Sequence, residues 1–265
     1  MKQQPGIKDR IIGCIVGGAI GDCLGGPYEG KALRAGGRKA PWAFSDDTQM
    51  TLATCEAVCE AGGIDPVGLA STFARWFARR RITGTGASTR KALIELSGGA
   101  HWALSGRGGE MAAGNGAAMR IAPLAFWLEP AKAEDRRTIR YVCRITHRND
   151  EAYAGALAVV IAIRAAASAV TLHPPADFLA LAADGLPDTS VRDRLRTLME
   201  IQDTPTIPDV AGTYGCSGYV VESVPLALFA ASRVWSEGFQ ETLEELVACG
   251  GDADTNASIA AQVMG

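Results

Sequence analysis

Apolar residues recur at helical spacing near the start of the chain, with a glycine between them at every fourth position. The apolar positions are Ile11, Ile12, Ile15, Val16, Ala19, Ile20 and Leu24, and the glycines are Gly13, Gly17 and Gly21. A period near 3.6 residues predicts an α-helix. Because small residues along one side of a helix let another backbone come close, this helix is predicted to pack tightly against a neighbour.

Helical patterns continue along most of the chain. They predict helices over 46–61, 66–80, 88–97, 116–128, 134–145, 150–170, 175–184, 190–202, 220–236, 239–249 and 254–264, with a glycine-rich loop at 30–41. No segment alternates between apolar and polar residues between turn signals, so no strand is predicted. The sequence therefore predicts an all-α fold, a single compact multi-helix domain spanning residues 1–265.

Composition and charge narrow the class of protein. The chain has 265 residues, of which 48% are hydrophobic and 21% charged, as is typical of a globular protein. The net charge is −3, and the one basic run, Arg79 to Arg81, suits the C-terminal end of a helix, where cations are favoured. The sequence therefore does not predict a nucleic-acid partner.

The cysteines and the apolar segments indicate in which cell compartment the protein is expected. Seven cysteines lie in apolar surroundings without a C-x-x-C pair, which predicts reduced thiols and a cytoplasmic protein. The N-terminus is too polar for a signal peptide. The most apolar segment, residues 154–170, contains Arg164 and is shorter than the roughly 20 residues of a membrane helix. It is interpreted as a core helix, and no membrane partner is expected.

Two clusters of carboxylates and hydroxyls stand where helices are predicted to begin. Ser45, Asp46, Asp47 and Thr48 form the first, and "GDADT", with Asp252, Asp254 and Thr255, forms the second. One interpretation is helix capping, which contributes about 1 kcal/mol per cap. Capping needs only one side chain, however, and does not explain two acids at each of two places.

A metal site is the alternative interpretation. Four carboxylates brought together would repel one another, and they stay ionised near a core only if cations compensate them. Two divalent cations would balance the four charges, and ligands that are all oxygen suit Mg²⁺ or Mn²⁺. The residues thus predict a binuclear site that joins the first and last parts of the chain.

Six ordered motifs resemble the ADP-ribosylglycohydrolase family, which includes dinitrogenase reductase-activating glycohydrolases and ADP-ribosylarginine hydrolases. They are "GCIVGGAIGDCLGGPYEG", "FSDDTQMTLA", "GNGAAMRIAPLA", "ITHRNDEA", "SGYVVESVPLALFA" and "GGDADTNASIAAQVMG", spread over residues 7 to 265. The resemblance implies an all-α fold with two Mg²⁺ or Mn²⁺ ions in a cleft.

The resemblance also implies roles for individual residues. The implied metal ligands are Ser45, Asp46, Asp47, Asp252, Asp254 and Thr255. Ser45 replaces the threonine of many relatives and keeps the hydroxyl. Asp46 or Asp47 is the implied catalytic base, with Glu29 as the alternative. Asp22 matches a recurrent position, and a cap or turn role is an equal alternative for it.

Substrate contacts are implied for three further motifs. In "GNGAAMR", Asn115, Gly116 and Ala117 belong to the loop that wraps the ribose and phosphates, with a helix start expected at Ala117; Arg120 would add charge or brace the loop. His147 has either a structural or a substrate-side role. Tyr219 would pack on adenine, with a buried core tyrosine as the alternative.

The expected function is a metal-dependent hydrolase that removes ADP-ribose from modified protein side chains by cleaving the N-glycosidic bond, and arginine is the expected side chain. Relatives also handle serine-linked, polymeric and nucleotide-like ADP-ribose. One alternative is a non-catalytic ADP-ribose-binding or crystallin-like structural protein, and another is a two-metal phosphoester hydrolase. The expected partners are an ADP-ribosylated protein and ADP-ribose, and the expected state is a monomer.

Overall fold

Helices make up nearly all of the fold. A computed structural model describes residues 6–31, 42–168, 175–201 and 205–265. Its helices are α1 Ile7–Gly25, α2 Asp46–Ala61, α3 Pro66–Ala78, α4 Ala87–Ser97, α5 Ala133–Arg144, α6 Asp150–Ser168, α7 Pro175–Asp184, α8 Ser190–Glu200, α9 Ile207–Tyr214, α10 Val220–Ser232, α11 Val234–Glu237, α12 Phe239–Val247 and α13 Ala253–Met264. Two short parallel strands, β1 Arg107–Gly108 and β2 His147–Arg148, pair with each other. The predicted all-α class is confirmed.

The first and last helices pack directly against each other. A Cβ atom added at Gly17 would lie 2.5 Å from the carbonyl oxygen of Ala261, and one added at Gly21 would lie 2.2 Å from that of Ala257. Only glycine fits at such distances, so the predicted close packing of α1 is confirmed. This contact brings the two ends of the chain together.

Helix α6 lies in the core, as predicted. Its residues from Ala152 to Val160 are all buried, and Gly155 allows Val220 of α10 to pack against its backbone. By length and apolar composition alone, α6 and the segment Ile7–Tyr28 would qualify as membrane spans, which is weak evidence because the core helix of a soluble protein passes the same test. Arg164 of α6 forms an ion pair with Glu129.

The predicted helix over 116–128 is wrong. The segment consists of short 3₁₀ turns, Asn115–Ala117 and Ala122–Phe126, and its side chains are nevertheless mostly buried. Pro123 has no N–H group to continue an α-helical ladder. Burial on all sides produced the apolar pattern that was interpreted as a helix.

Some elements were not predicted. Helix α9 contains Pro208 and Gly212, which suggest a loop, but proline is tolerated in the first turn and Thr206 and Asp209 form a capping box there. Strands β1 and β2 have two residues each, too few to show alternation. Most of the predicted loop at 30–41, and the predicted helix ends at 169–170 and 202, lie outside the described residues.

Candidate metal centre and substrate cleft

The first acidic cluster is held at the N-terminus of α2. The Ser45 hydroxyl accepts a hydrogen bond from the backbone N–H of Asp47 at 3.2 Å, so Ser45 is the N-cap. Buried Asp22 of α1 accepts from the backbone N–H groups of Ser45 and Thr48 and from the Thr48 hydroxyl, the last at 2.6 Å. Asp22 therefore has the predicted capping role, across two helices, and Thr48 is bound to Asp22.

The second acidic cluster stands at the N-terminus of α13, next to Glu29. Glu29, Asp252 and Asp254 each offer a carboxylate oxygen, and these oxygens lie within 4.8 Å of one another. Two backbone hydrogen bonds hold the Glu29 segment here: Gly30 donates to the carbonyl of Gly251 at 2.7 Å, and Gly251 donates to that of Lys31 at 3.0 Å. The cluster can hold a metal ion.

A hydrogen bond joins the two clusters. The Thr255 hydroxyl donates to Oδ2 of Asp47 at 3.2 Å across a separation of 208 residues. The Ser45 hydroxyl donates to the same oxygen at 3.0 Å. Asp47 is 1% exposed and Asp254 is 5% exposed, so two carboxylates of different clusters are buried at one place.

The carboxylates are poorly solvated and close together. Burial, reinforced by neighbouring negative charges, raises the pKa of Asp46 to about 7 and the pKa of Asp254 to about 8. Burial, and then the charge of Asp254, raises the pKa of Asp47 well above its ordinary value. A bound cation would favour the ionised form of all three.

One atom of the site has an unmet requirement. Oδ1 of Asp47 is buried and has no hydrogen-bond partner among the described residues. A buried carboxylate oxygen needs a donor or a cation. The other polar side chains of the two clusters are carboxylates and hydroxyls, and they too present oxygen, the ligand that Mg²⁺ and Mn²⁺ prefer. The residues present therefore fit a hard divalent cation.

Both clusters open into one cleft with a cavity of about 290 Å³. Its lining residues are Glu29, Asp46, Asp47, Gly84, Gly86, Ala87, Ser88, Thr89, Gly114, Asn115, Gly116, Met119, His147, Gly218, Asp252, Asp254 and Thr255. The wall from Gly84 to Thr89 leads into α4 and was missed in the sequence. The sequence signal for this wall was the glycine-rich stretch "GTGAS", which leads into α4. The N-cap residue of α4, Gly86, forms no side-chain hydrogen bond with the first turn of the helix.

The loop around Asn115 forms another part of the cavity wall, next to α4. A Cβ atom at Gly116 would lie 2.9 Å from Cε1 of His147 and 3.0 Å from the Thr89 hydroxyl, so glycine is required for this approach. Asn115 donates its side-chain N–H to Asp252 at 2.7 Å. The loop is therefore fixed directly to the second acidic cluster.

Comparison with known proteins identifies this arrangement. The family model described as ADP-ribosylglycohydrolase matches residues 3–265. The chain belongs to the ADP-ribosylglycohydrolase family. It is 26% identical to ADP-ribosylhydrolase ARH3 of Danio rerio over 97% of this chain and 82% of the relative. It is also 29% identical to the ADP-ribosyl-[dinitrogen reductase] glycohydrolase of Rhodospirillum rubrum over 55% of this chain and 53% of the relative.

A solved structure supports the same assignment. The structure named ADP-ribosylglycohydrolase-related protein complex is similar to this chain with a TM-score of 0.70 at 27% identity, over 97% of this chain and 86% of its own. Members of the ADP-ribosylglycohydrolase family are metal-dependent hydrolases that remove ADP-ribose. The resemblance predicted from the six motifs is confirmed.

Within the cleft, a buried series of hydrogen bonds orients His147. Arg120 donates to the carbonyl of Gly116 and, at 2.6 Å, to the hydroxyl of Thr146, which lies 2.7 Å from Nδ1 of His147. Since arginine only donates, the threonine hydrogen is free for Nδ1, and this favours the tautomer with hydrogen on Nε2. Burial, and then the charge of Arg120, lowers the pKa of His147 to about 3. His147 is therefore neutral, and it lines the cleft.

Three predicted site residues do not line the cavity. Ser45 contacts the site through Asp47. Ala117 is fully buried in the 3₁₀ turn, so the helix start predicted there is wrong: the loop keeps its tight turn because Arg120 binds the Gly116 carbonyl. Tyr219 is 43% exposed, as predicted, and its backbone pairs with Gly114 beside the cavity.

Raising the pH from 6.5 to 8 is expected to destabilise the metal-free protein by about 2 kcal/mol. Carboxyls with pKa values near 3.8 in the unfolded chain have raised values of about 7 at Asp46 and about 8 at Asp254 in the folded chain. The folded state thus binds more protons in this range, and stability falls as they are lost. Above pH 6.5, His147 is neutral in the folded state and largely neutral in the unfolded state, so it adds little.

Thermal unfolding in chelator at both pH values measures this loss of stability. Adding about 5 mM Mg²⁺ or Mn²⁺ should reverse most of the loss, because that concentration is well above ordinary dissociation constants for these ions. The variant Asp254→Asn should flatten the dependence. A metal-free melting temperature that rises over this range would contradict the expectation.

Proposed function

We propose that this protein hydrolyses the N-glycosidic bond between ADP-ribose and arginine side chains of modified proteins, using two divalent cations, Mg²⁺ or Mn²⁺. The observation that carries the proposal is the contact between Thr255 and Asp47, which unites two acidic clusters at one end of a cleft. The choice of arginine follows the resemblance of the six motifs to the ADP-ribosylarginine hydrolases. Family membership supports the ADP-ribosyl part of the substrate.

The substrate is expected to lie along the cleft. The glycine loop at Gly114 and Gly116 allows backbone N–H groups to approach the diphosphate, and the start of α4, which also lines the cavity, supplies further N–H groups. The exposed ring of Tyr219 beside Gly218 is available for stacking on adenine. The anomeric carbon of the ribose then lies at the acidic end, next to Glu29.

The reaction adds water across one bond. Water forms a new C–O bond at the anomeric carbon while the C–N bond to the guanidine breaks, through an oxocarbenium-like transition state. Asp46 or Asp47 accepts a proton from the water, with Glu29 as the alternative base, and the guanidine nitrogen takes up a proton as it leaves. Divalent cations would supply positive charge that orients the ribose hydroxyl groups and the water. The residues that would hold these cations are Ser45, Asp46, Asp47, Asp252, Asp254 and Thr255.

The test follows release of ADP-ribose from a protein modified on arginine, with Mg²⁺, Mn²⁺ or chelator. Metal-dependent release is expected. The same protein modified on serine should be turned over at least about tenfold more slowly, because the serine leaving group does not match the site. Binding of ADP-ribose without release under any condition would favour a binding protein. Release of phosphate from simple esters would favour a two-metal phosphoester hydrolase, and faster release from serine would refute the arginine assignment.

A further inference from the structure

A second cavity of about 690 Å³ adjoins the cleft and lies between the end of α3 and one side of α4. Gly84 lines both cavities. The backbone N–H of Thr83, on the wall of the second cavity, donates to the Gln49 side chain at 2.8 Å, and Gln49 stands one helical turn after Asp46. The groove therefore adjoins the acidic end of the cleft, where the leaving group is expected.

This groove is basic, in contrast to the cleft. Arg80 and Arg90 line it and are exposed, no acidic residue is among its lining residues, and neither arginine has an ion pair with any described carboxylate. The neighbouring Arg75 and Arg81 are both paired with Glu56. Two cations that no described carboxylate pairs with thus stand beside the cleft.

Arg80 occupies a position that normally belongs to glycine. It has φ of 55°, and it is the one described residue other than glycine with positive φ. Its N–H binds the carbonyl of Phe77, and the next N–H binds that of Trp76, which is the Schellman pattern at the end of α3. Gly62 has the corresponding φ of 65° at the end of α2. An arginine there costs about 1 kcal/mol relative to glycine.

Part of the groove is apolar, although Thr83, Thr85 and Ser97 also line it. Phe77 and Ile82 line it, and Ile94 of α4 is 54% exposed along it. Apolar surface between two guanidinium groups suits a peptide, whose side chains can be both apolar and acidic. A polymer of ADP-ribose would present its phosphates to the arginines and bring less apolar surface to the floor.

We propose that this groove binds an acidic peptide segment of the modified protein, next to the arginine that carries ADP-ribose. The inference rests on the proposed function, because it places the protein part of that substrate. Carboxylates of the segment pair with Arg80 and Arg90 while its apolar side chains cover Phe77 and Ile94. The groove would then select among modified proteins by the charge near the modified site.

Two peptides of equal length test the proposal, each with one ADP-ribosylated arginine flanked by either glutamates or glutamines. The ratio of kcat/KM for the acidic peptide to that for the neutral one is expected to be about ten in the natural protein, and about threefold lower in Arg80→Gln and in Arg90→Gln. The double variant should show a ratio near one. Arg79→Gln, an adjacent exposed arginine outside the groove, is the matched control and should keep the ratio of the natural protein.

Arg80→Gly separates recognition from structure. Glycine relieves the left-handed backbone, so the melting temperature is expected to rise by about 2 °C while the ratio falls as in Arg80→Gln. A ratio near one in the natural protein, or an unchanged ratio in the double variant, would overturn the proposal. So would a double variant that loses turnover of ADP-ribose polymer alone.

The binding role of the groove and the proposed hydrolase activity can fail independently of each other. If the natural protein releases ADP-ribose from neither peptide, the proposed arginine hydrolase activity fails, and fluorescence anisotropy with the same peptides then decides on the groove. Tighter binding of the acidic peptide that is lost in the double variant would support the groove. Equal dissociation constants for the two peptides would refute it.

Discussion

Replacing Asp47 with asparagine is expected to lower turnover of an ADP-ribosylated substrate by about a thousandfold and to abolish thermal stabilisation by Mg²⁺ or Mn²⁺. Asp47 stands between the clusters: Oδ2 accepts from Ser45 and Thr255, and Oδ1 is buried with no partner among the described residues. Asparagine keeps the size of the side chain but removes its charge. A cation between the clusters would therefore lose a central ligand.

Metal-free stability distinguishes loss of binding from loss of folding. Because burial raises the pKa of Asp47, its ionised form is unfavourable in the metal-free protein. In chelator at pH 8, Asp47→Asn is therefore expected to melt at or above the temperature of the natural protein. The two proteins should then separate on addition of metal, since only the natural one is stabilised.

Asp65→Asn is the matched control. Asp65 caps α3 by accepting from the backbone N–H groups of Val67 and Gly68, and asparagine is an equally good cap. The same chemical change away from the cleft should leave turnover and metal stabilisation as they are. Full activity in Asp47→Asn, or retained stabilisation by metal, would rule out the union of the two clusters as the metal centre.

Local signals were sufficient to predict many of the helices. The bounds of α2 and α7 agree with the sequence prediction. At α2 the reason is visible: Ser45 caps the first turn, and Gly62 ends the helix in the left-handed conformation. The 3₁₀ turns around Pro123 were mistaken for a helix, since burial there depends on surrounding elements that a local pattern does not contain.

The acidic residues of the site could be predicted from the sequence because their placement is unusual. Pairs of acids at two helix starts signalled a shared centre, since capping explains only one side chain at each start. The cap that Asp22 provides to α2, and the orientation of His147 by Arg120 through Thr146, depend on contacts between distant segments. Such contacts leave no periodic trace in the sequence, and they became visible only in the folded chain.

Gly21→Ala is expected to lower the free energy of unfolding by about 3 kcal/mol, although alanine favours a helix over glycine by about 1 kcal/mol. The added Cβ would lie 2.2 Å from the carbonyl oxygen of Ala257, a backbone atom that can move only with α13. Gly26→Ala is the matched control: no atom of the described part of the chain lies within 4 Å of its added Cβ, and φ is −48°. This control should be neutral or slightly stabilising.

The effect of Gly21→Ala should extend to the metal centre. Asp22, the next residue of α1, caps α2 below the first cluster, and α13 carries Asp254 of the second. Separating α1 from α13 by the width of a methyl group therefore changes the distance between the clusters, and the variant should need more Mg²⁺ or Mn²⁺ than the natural protein for half of the maximal stabilisation. Urea unfolding with and without metal measures both effects. If Gly21→Ala and Gly26→Ala shift the urea midpoint equally, the contact between α1 and α13 does not set the geometry of the site.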